Sequence, residues 1–281
     1  TGTMPLHFPK DEFIARRRAA CAEMKRRGLD ALLCFRQESM YYLTGYDTFG
    51  YVYFQCLTLT ADGKTTLLTR APDLRQAKFT SDIADVRIWT DRAGANPAED
   101  LTAILTEHGL FGKALGVEYD AYGLTAANAK RLEFELQGFA SLEDASGLVS
   151  TLRLVKSPAE IVYVRKAAQL ADAAWHAAQD TAKAGAFEGD ILAAMHGAIY
   201  RGGGDDPANE FIIGSGAGAM MCRYFTGRRH LDASDQLTLE FAGAYRHYHS
   251  CLMRTLRTGK PPQRQIDLHK GTYSGLVESE Q

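Results

Sequence analysis

Apolar positions in the first half of the chain alternate between helical and strand spacing. From Asp11 to Gly28 they recur every three or four residues, and the glycine supplies a C-cap. A short apolar run, Ala31–Phe35, follows, and two further runs flank Asp62-Gly63, a dipeptide typical of hairpin turns. Strand and helix patterns then alternate to about residue 150, which predicts an α/β domain. The expected strands are 54–60, 65–69, 86–90, 114–119 and 139–142, and the expected helices are 97–108 and 125–136.

The second half of the chain begins with a strong helix start. Residues 157–160 are Ser-Pro-Ala-Glu, a capping box with proline at the first helical position. This predicts a long helix to about Lys183, and the spacing of apolar residues predicts a second helix over 188–201. After it the composition changes to short strands and glycine-rich turns. We expect a strand at 211–214, a turn at 214–218 and a hairpin of 237–242 and 245–256 around Gly243.

Composition and charge exclude several classes of protein. Of the 281 residues, 46% are hydrophobic and 23% are charged, as in a globular chain rather than a disordered one. The net charge of -2 provides no global attraction to nucleic acids or anionic membranes, so neither is expected as a partner. No apolar run approaches the length of a membrane span. Five cysteines without a Cys-x-x-Cys pair indicate reduced thiols and a cytoplasmic location.

Polar residues on the predicted hairpin are the first candidates for chemistry. Glu240 interrupts an alternating apolar series, so its side chain is expected to face away from the core. On the returning strand His247, His249 and Cys251 are two residues apart and are expected on one face. Arg254 then falls on the opposite face. Together with Glu240 this cluster is one hypothesis for a zinc site, and an ordinary polar strand face is the alternative.

The region around this hairpin carries an excess of positive charge. Between Arg223 and Arg264 there are eight Arg or Lys residues and three acidic residues. Guanidinium groups bind carboxylates through paired hydrogen bonds, so a pocket for a carboxylate-bearing substrate and a solvated surface are both open. The glycine-rich segment 214–218 lacks the Lys-Ser/Thr of a phosphate loop, and Ser215 lies outside a Gly-x-Ser-x-Gly pattern. Nucleotide binding and a serine hydrolase are therefore not favoured.

Four segments resemble the creatinase, prolidase and aminopeptidase P superfamily, and the resemblance covers nearly the whole chain. They are 41–46 (Tyr-Tyr-Leu-Thr-Gly-Tyr), 153–161 (Arg-Leu-Val-Lys-Ser-Pro-Ala-Glu-Ile), 214–216 (Gly-Ser-Gly) and 240–255, which ends in Arg-Thr. The resemblance implies a ribonuclease-H-like α/β N-terminal domain over 4–152. Over 153–281 it implies the first part of an α+β catalytic domain with the pita-bread fold. It also implies a homodimer in which each N-terminal domain lends residues to the partner's active site.

Metal-dependent members of this superfamily carry two aspartates, eleven residues apart, that bridge two metal ions. The corresponding positions here hold Glu240 and Cys251, and a neutral thiol lacks the charge that two divalent ions need. Residues 240–249 are more similar to the metal-free ectoine hydrolases and creatinase, which cleave a non-peptide C–N bond. The resemblance therefore predicts a hydrolase of a small ectoine-like or creatine-like substrate that uses neither a metal nor another cofactor.

Hydrolysis without a metal needs a group that activates water and a cation that holds the substrate carboxylate. We predict Glu240 and His249 as catalytic residues. A metal-dependent Xaa-Pro dipeptidase is one alternative, and a non-catalytic binding protein is another, because the position of a family active-site histidine holds Arg223 here. For Phe49 and Tyr51, a place in the N-domain core is an equally open interpretation. The predicted substrate-binding residues are Arg223, Arg254, Tyr245, Phe49 and Tyr51.

The resemblance also implies that the catalytic domain continues beyond this hairpin. The chain stops at Gln281, and after a helical start at 263–270 the residues 271–275 do not fit a continuing helix. We therefore expect a fragment without about half of the catalytic domain, which exposes apolar surface and is inactive alone.

Overall fold

The computed structural model describes residues 6–221, 223 and 227–280. Cys222, one of the five cysteines, lies outside the described residues. The chain divides into two compact units, Thr1–Val155 and Lys156–Gln281. The domain limits 4–152 and 153–281 stay predictions. Over the described residues, every helix falls short of the length or apolar content that a membrane crossing requires.

The first unit is built on a mixed sheet, which we call the first sheet. Over the described residues its strand order is β4-β3-β2-β1-β5-β6, with β1-β2 and β2-β3 antiparallel and the other pairs parallel. The strands are β1 (Ala31–Cys34), β2 (Cys56–Thr60), β3 (Thr65–Arg70), β4 (Asp85–Trp89), β5 (Ala114–Val117) and β6 (Ser141–Asp144). The helices are α1 (Lys10–Arg27), α2 (Gln37–Thr44), α3 (Leu74–Thr80), α4 (Pro97–Glu107), α5 (Ala126–Leu136) and α6 (Gly147–Leu152), with 3₁₀ turns at Gly50–Val52 and Ala71–Asp73.

Apolar clusters cover both faces of the first sheet. Leu32 and Leu57 belong to a cluster with side chains of α1, α2, α3 and α6. Leu33 and Leu115 belong to a second cluster with side chains of α4 and α5. Because both faces are covered, every residue of β1 and β2 is buried. The unit is the α/β domain that the sequence predicts, and Gly28 caps α1 in the left-handed conformation as expected.

A buried carboxylate just after β5 holds the start of α2. Glu118 is fully buried, and its Oε2 accepts hydrogen bonds from the backbone N–H groups of Phe35 and Arg36 at 3.0 and 2.9 Å. Its Oε1 accepts a hydrogen bond from the hydroxyl of Ser39. Burial raises the pKa of Glu118 to about 7, although the hydrogen bonds lower it. The carboxylate therefore joins the end of β5 to the start of α2, two segments that are far apart in the chain.

The second unit begins with two helices and continues with strands. Ser157 and Glu160 form the predicted capping box, in which each side chain accepts a hydrogen bond from the backbone N–H of the other residue. Over the described residues the strand order of the second sheet is β7-β8-β9, and both pairs are antiparallel. The elements are α7 (Pro158–Thr181), α8 (Glu188–Arg201), β7 (Ile212–Ser215), a 3₁₀ turn (Gly216–Met220), β8 (Asp235–Tyr245), β9 (Tyr248–Thr258) and α9 (Gln263–Ser279).

The β8–β9 hairpin turns later than the sequence suggests. The predicted turn around Gly243 is wrong, because Gly243 lies inside β8 and the turn consists of Arg246 and His247. Both turn residues have positive φ, 49° and 69°, as a two-residue type I′ turn requires. A Cβ at position 243 would lie 2.0 Å from the carbonyl oxygen of Ala167. Gly243 therefore allows α7 to pack closely against the sheet and is not part of the turn.

Helix α9 is longer than the sequence suggests. The interpretation that residues 271–275 interrupt the helix is wrong, because α9 continues through Gly271 and Gly275 to Ser279. Glycine disfavours a helix by only about 1 kcal/mol relative to alanine, and the hydroxyl of Thr272 donates to the carbonyl of Leu268 at 3.0 Å. Within the described residues, α9 contains no buried residue.

Candidate active site

Glu240 lies in the middle strand of the second sheet, on the face turned away from α7 and α8. Along β8, buried residues alternate with half-buried ones, and Leu239 is packed in a cluster with Leu170 of α7 and Ile191 of α8. Side chains of successive strand residues point to opposite faces. The half-buried Glu240 is therefore on the face that these two helices do not cover, as its place in the alternation predicts.

The strand register defines the surroundings of Glu240. Ile212 of β7 and Met253 of β9 lie directly opposite it on the two neighbouring strands. Residues opposite each other in an antiparallel pair project to the same side, so both apolar side chains flank the carboxylate. The next side chains of β8 on this side are Thr238 and Ala242. We call these five residues, Ile212, Thr238, Glu240, Ala242 and Met253, the Glu240 face.

Two loops bound the Glu240 face. At one end the 3₁₀ turn after β7 packs over Gly214, where a Cβ would lie 2.3 Å from the carbonyl oxygen of Gly218. At the other end the loop between α8 and β7 reaches the tip of the hairpin, where the N–H of Asp205 donates to the carbonyl of Ala244 at 2.9 Å. The Glu240 face therefore lies between two loops, with a half-buried carboxylate in its centre.

His249 projects to the same side as Glu240, but its imidazole is bonded to backbone groups. It lies opposite Ala244, which is four residues or about 13 Å along β8 from Glu240. Nδ1 is 2.8 Å from the carbonyl oxygen of His247, and Nε2 is 3.0 Å from the backbone nitrogen of Ala208. Because a carbonyl accepts and an N–H donates, we assign the neutral tautomer with its proton on Nδ1. The structure does not bring Glu240 and His249 together.

The zinc hypothesis does not fit the hairpin. His247 belongs to the turn, so the prediction that it lies on one strand face with His249 and Cys251 is wrong. The exposed Cys251 lies opposite Ala242 rather than Glu240. Over residues 6–221, 223 and 227–280, no group of three or more His, Cys, Asp or Glu side chains could hold a metal ion.

Two of the predicted substrate-binding residues lie on the other side of the sheet. Arg254 is opposite Leu239, so it projects toward the helix side, as the sequence predicts relative to His249, and its guanidinium is exposed. Tyr245 projects to that side as well, and its ring packs edge-on against Tyr163 of α7 at 5.6 Å between centroids. The structure therefore separates both side chains from Glu240.

The other predicted substrate-binding residues are exposed. Arg223 lies in a turn between β7 and β8. In the first unit, Phe49 directly precedes the 3₁₀ turn Gly50–Val52 and Tyr51 lies within it, and they are 88% and 38% exposed. That exposure excludes the N-domain core for Phe49.

A buried carboxylate at the start of α8 is not among the residues predicted from the sequence. Glu188 is 1% exposed, and it accepts hydrogen bonds from the backbone N–H and hydroxyl of Ser215 and from the N–H groups of Arg228 and Arg229. An acid in the first turn of a helix ordinarily interacts with that helix's own N-terminus. The signal in the sequence is Phe187 at the N-cap position of α8. Its side chain has no oxygen that could accept a hydrogen bond from the first helical turn.

Comparison with known proteins identifies the family. The Creatinase/Prolidase N-terminal domain family matches residues 16–155, and Metallopeptidase family M24 matches residues 162–278. The chain belongs to the creatinase, prolidase and aminopeptidase P superfamily. The predicted combination of an N-terminal domain and a pita-bread catalytic domain is thereby confirmed.

Both branches of the superfamily occur among the similar proteins. Ectoine hydrolase of Halomonas elongata is 26% identical over 287 residues, which cover 96% of this chain and 72% of the relative. Xaa-Pro dipeptidase of Pyrococcus horikoshii is 23% identical over 250 residues, which cover 88% and 65%. The solved structure of Xaa-Pro dipeptidase from Bacillus anthracis matches with a TM-score of 0.77 and 20% identity, covering 92% of this chain and 68% of that one.

The described residues do not fit the two-metal centre of the metallopeptidase members. The resemblance assigns the two bridging positions to Glu240 and Cys251, which project to the same side of the sheet because Cys251 is opposite Ala242. Cys251 is an exposed thiol in place of a carboxylate, and the positions opposite Glu240 hold Ile212 and Met253. Two divalent ions require several anionic oxygen donors, which this arrangement does not supply among the described residues.

Proposed function

We propose that this protein is a metal-independent hydrolase that cleaves a C–N bond of a small ectoine-like or creatine-like substrate. The observation that carries the proposal is the setting of Glu240, a half-buried carboxylate with the apolar side chains of Ile212 and Met253 directly opposite it. The family membership supports a hydrolase, and the similarity to ectoine hydrolase of Halomonas elongata supports the substrate class.

Glu240 performs the proton transfers in this proposal. Its carboxylate removes a proton from a water molecule, and the hydroxide adds to the carbon of the scissile C–N bond. The same proton then moves from Glu240 to the nitrogen as the bond breaks, so the carboxylate is regenerated. Ile212 and Met253 carry no charge that would form an ion pair with the carboxylate.

Arg223 is the proposed partner of the substrate carboxylate, because a guanidinium binds a carboxylate through two parallel hydrogen bonds. It is exposed and belongs to the segment that leaves the 3₁₀ turn at the edge of the Glu240 face. Arg254 and Tyr245 project to the opposite side of the sheet and receive no role. His249 holds the loop of Ala208 in this proposal and transfers no proton.

A metal-dependent Xaa-Pro dipeptidase is the second candidate. It is favoured by the match to Metallopeptidase family M24 and by the similarity to Xaa-Pro dipeptidase of Pyrococcus horikoshii. Under this alternative Glu240 and Cys251 would be metal ligands, and activity would disappear with a chelator.

Metal content and substrate cleavage separate the two candidates. The full-length protein is purified without chelator and dialysed against metal-free buffer, and its divalent metal is then measured by elemental analysis. We expect essentially no bound metal, together with cleavage of ectoine or creatine that survives chelator. About two ions per chain, with chelator-sensitive cleavage of Xaa-Pro dipeptides, would overturn the proposal. Specific binding of these compounds without cleavage would instead support a non-catalytic binding protein.

We also propose a cytoplasmic homodimer in which Phe49 and Tyr51 reach the partner's active site. Phe49 is 88% exposed, and its neighbours Tyr51, Val52 and Tyr53 are exposed as well. This run supports the role, because contiguous exposed apolar side chains mark contact sites. Sedimentation analysis of the wild-type protein and of a Phe49→Ala variant tests the dimer. A wild-type monomer at micromolar concentration would contradict it.

A further inference from the structure

The Glu188 carboxylate accepts hydrogen bonds from two chain segments that lie 27 and 40 residues away from it in the sequence. Its Oε1 accepts hydrogen bonds from the backbone N–H and the hydroxyl of Ser215, at 2.9 and 2.6 Å. Its Oε2 accepts from the N–H groups of Arg228 and Arg229, at 3.0 and 3.1 Å. With only 1% of the residue exposed, water cannot readily replace these bonds.

These two segments lie at the two ends of one stretch of chain between β7 and β8. Between Ser215 and Arg228 lie the described residues 216–221, 223 and 227, which we call the Arg223 segment. Its far end is also fixed by backbone pairing, because the N–H of Glu188 donates to the carbonyl of Arg229 at 2.9 Å. The carboxylate therefore joins the start of the Arg223 segment to an end that is already attached to α8.

The Arg223 segment begins at the Glu240 face. Gly214 lies opposite Thr238, so it projects to the same side of the sheet as Glu240. The carbonyl of Gly218 occupies the space above Gly214, where a side chain would collide with it. The point that Glu188 fixes, Ser215, is the residue directly after Gly214. A shift of Ser215 would therefore move the 3₁₀ turn that lies at the edge of the Glu240 face.

Arg229 adds further hydrogen bonds at the point where Glu188 meets Ser215. One guanidinium nitrogen donates to the hydroxyl of Ser215 at 2.7 Å and also to the carboxylate of Asp235, which is buried at the start of β8. The Ser215 hydroxyl therefore donates to Glu188 and accepts from Arg229. This network connects α8, β7 and β8 at one point, and a connected network of charged hydrogen bonds is rigid.

We propose that Glu188 is a positioning residue that fixes the Arg223 segment at the edge of the Glu240 face for binding of the substrate carboxylate. Glu188 acts through the segment and does not touch the substrate. The inference rests on the proposed function, because it assigns the segment to substrate binding. It extends that function by making affinity for an anionic substrate depend on a buried glutamate of α8.

Glu188→Gln is the test variant, and Glu160→Gln is its matched control. The glutamine keeps the size of the side chain but turns an amide NH₂ toward backbone N–H donors at one end of the segment. Glu160 is also a buried glutamate at a helix start, 3% exposed, but it accepts from Ser157 and Tyr248. Any general effect of a neutralised buried glutamate is expected in both variants.

Amide hydrogen exchange of the full-length protein measures the anchoring directly. We expect Glu188→Gln to speed exchange at Ser215, Arg228 and Arg229 at least about tenfold, the effect of losing one buried hydrogen bond. Glu160→Gln is expected to leave these three amides unchanged. If Glu188→Gln leaves them within about twofold of wild type, the proposal is wrong.

Steady-state kinetics separates positioning from a purely structural role. With ectoine or creatine as substrate, we expect Glu188→Gln to raise KM about tenfold and to leave kcat within about threefold. An unchanged KM, or equal losses in Glu188→Gln and Glu160→Gln, would overturn the positioning role. If Glu188→Gln does not fold, Ser215→Ala removes one donor to the carboxylate and is expected to give the same pattern with smaller changes.

Failure of the proposed function is distinguishable from failure of this inference. A wild-type protein that cleaves neither compound contradicts the proposed function. In that case binding of ectoine, measured by calorimetry in wild type and in Glu188→Gln, decides the inference. At least about fivefold weaker binding in the variant supports it, and equal or absent binding overturns it.

Discussion

The two sheets of this protein differ in how many of their faces are covered. The first sheet has an apolar cluster on each face, and β1 is buried at every position. The second sheet has α7 and α8 on one face, and the residues of β8 alternate between buried and half-buried from Asp235 to Phe241. The difference appears in the sequence as Ala-Leu-Leu-Cys in β1 and Leu-Thr-Leu-Glu in β8. A strand with apolar residues at every position is buried on both faces of its sheet. In an alternating strand, every second side chain faces away from the core and is available for chemistry.

Three glutamates show a similar difference between covered and open positions, and it does not follow the division into two units. Glu118 and Glu188 are buried, and each accepts hydrogen bonds from backbone N–H groups of distant segments. Glu240 is half-buried on an open face with apolar residues opposite it. These two buried carboxylates hold distant segments together, because their lone pairs accept hydrogen bonds from those segments. A carboxylate with unused lone pairs on an open face can accept a proton from water.

The largest expected effect is the loss of catalysis in Glu240→Gln. Because the amide cannot take a proton from water, kcat/KM for ectoine or creatine should fall about 100- to 10,000-fold. The free energy of unfolding should change by less than about 1 kcal/mol, because the side chain is only half-buried. Glu143→Gln, the same substitution at an exposed glutamate of β6, is the control and should keep activity within about threefold. A Glu240→Gln variant with more than about a tenth of wild-type activity would contradict the assignment.

Substitutions of apolar residues test the difference between the two sheets. Leu33→Ala in β1 should lower the free energy of unfolding by about 2–5 kcal/mol, because it leaves a cavity in a covered face. Met253→Ala on the Glu240 face should cost less than about 1 kcal/mol, because Met253 is 54% exposed. Urea denaturation of both variants gives the comparison. Equal costs would show that the Glu240 face is covered in solution.

The buried Glu118 should make the stability of the first unit depend on pH. Its pKa is about 7 in the folded chain and 4.5 as a reference for the unfolded chain, so the folded state holds the proton more tightly. The free energy of unfolding should therefore fall by about 3 kcal/mol as the pH rises from 4.5 to 7, on account of this group. Glu118→Gln removes this dependence.

Denaturation of the first unit at pH 4.5 and 7.5 measures this effect. Trp89 lies in the first unit, and a Trp175→Phe background removes the signal of the second unit. Glu143→Gln, an exposed glutamate of β6, is the control and should keep the wild-type dependence. The same pH dependence in wild type and Glu118→Gln would show that Glu118 titrates alike in both states.

The smallest effect is expected for His249. In His249→Gln an amide oxygen can still accept a hydrogen bond from the N–H of Ala208, so kcat/KM should fall by less than about tenfold. A pH–rate profile that keeps its shape in the variant would support the role as a loop anchor. A loss similar to that of Glu240→Gln would instead restore His249 as a catalytic residue.

Local features of this protein could be predicted from the sequence alone. The Gly28 cap, the capping box of Ser157 and Glu160 and the outward orientation of Glu240 each depend on residues within four positions of one another. Such short-range patterns follow from the periods of the helix and the strand. They were sufficient to predict the longer helices of both units, the α/β unit and the strand that carries the candidate carboxylate, but not the short helices α2, α3 and α6.

Only the tertiary structure decided where distant segments meet. Gly243 looks like a turn residue until α7 brings the carbonyl of Ala167 against it. The imidazole of His249 looks free for catalysis until the Ala208 loop bonds to it, and Glu188 looks like a helix-start acid until Arg228 approaches it from 40 residues away. Burial and hydrogen-bond partners are properties of such long-range contacts. The spacing of residues along one segment does not specify them, so the sequence could nominate these side chains but could not assign their roles.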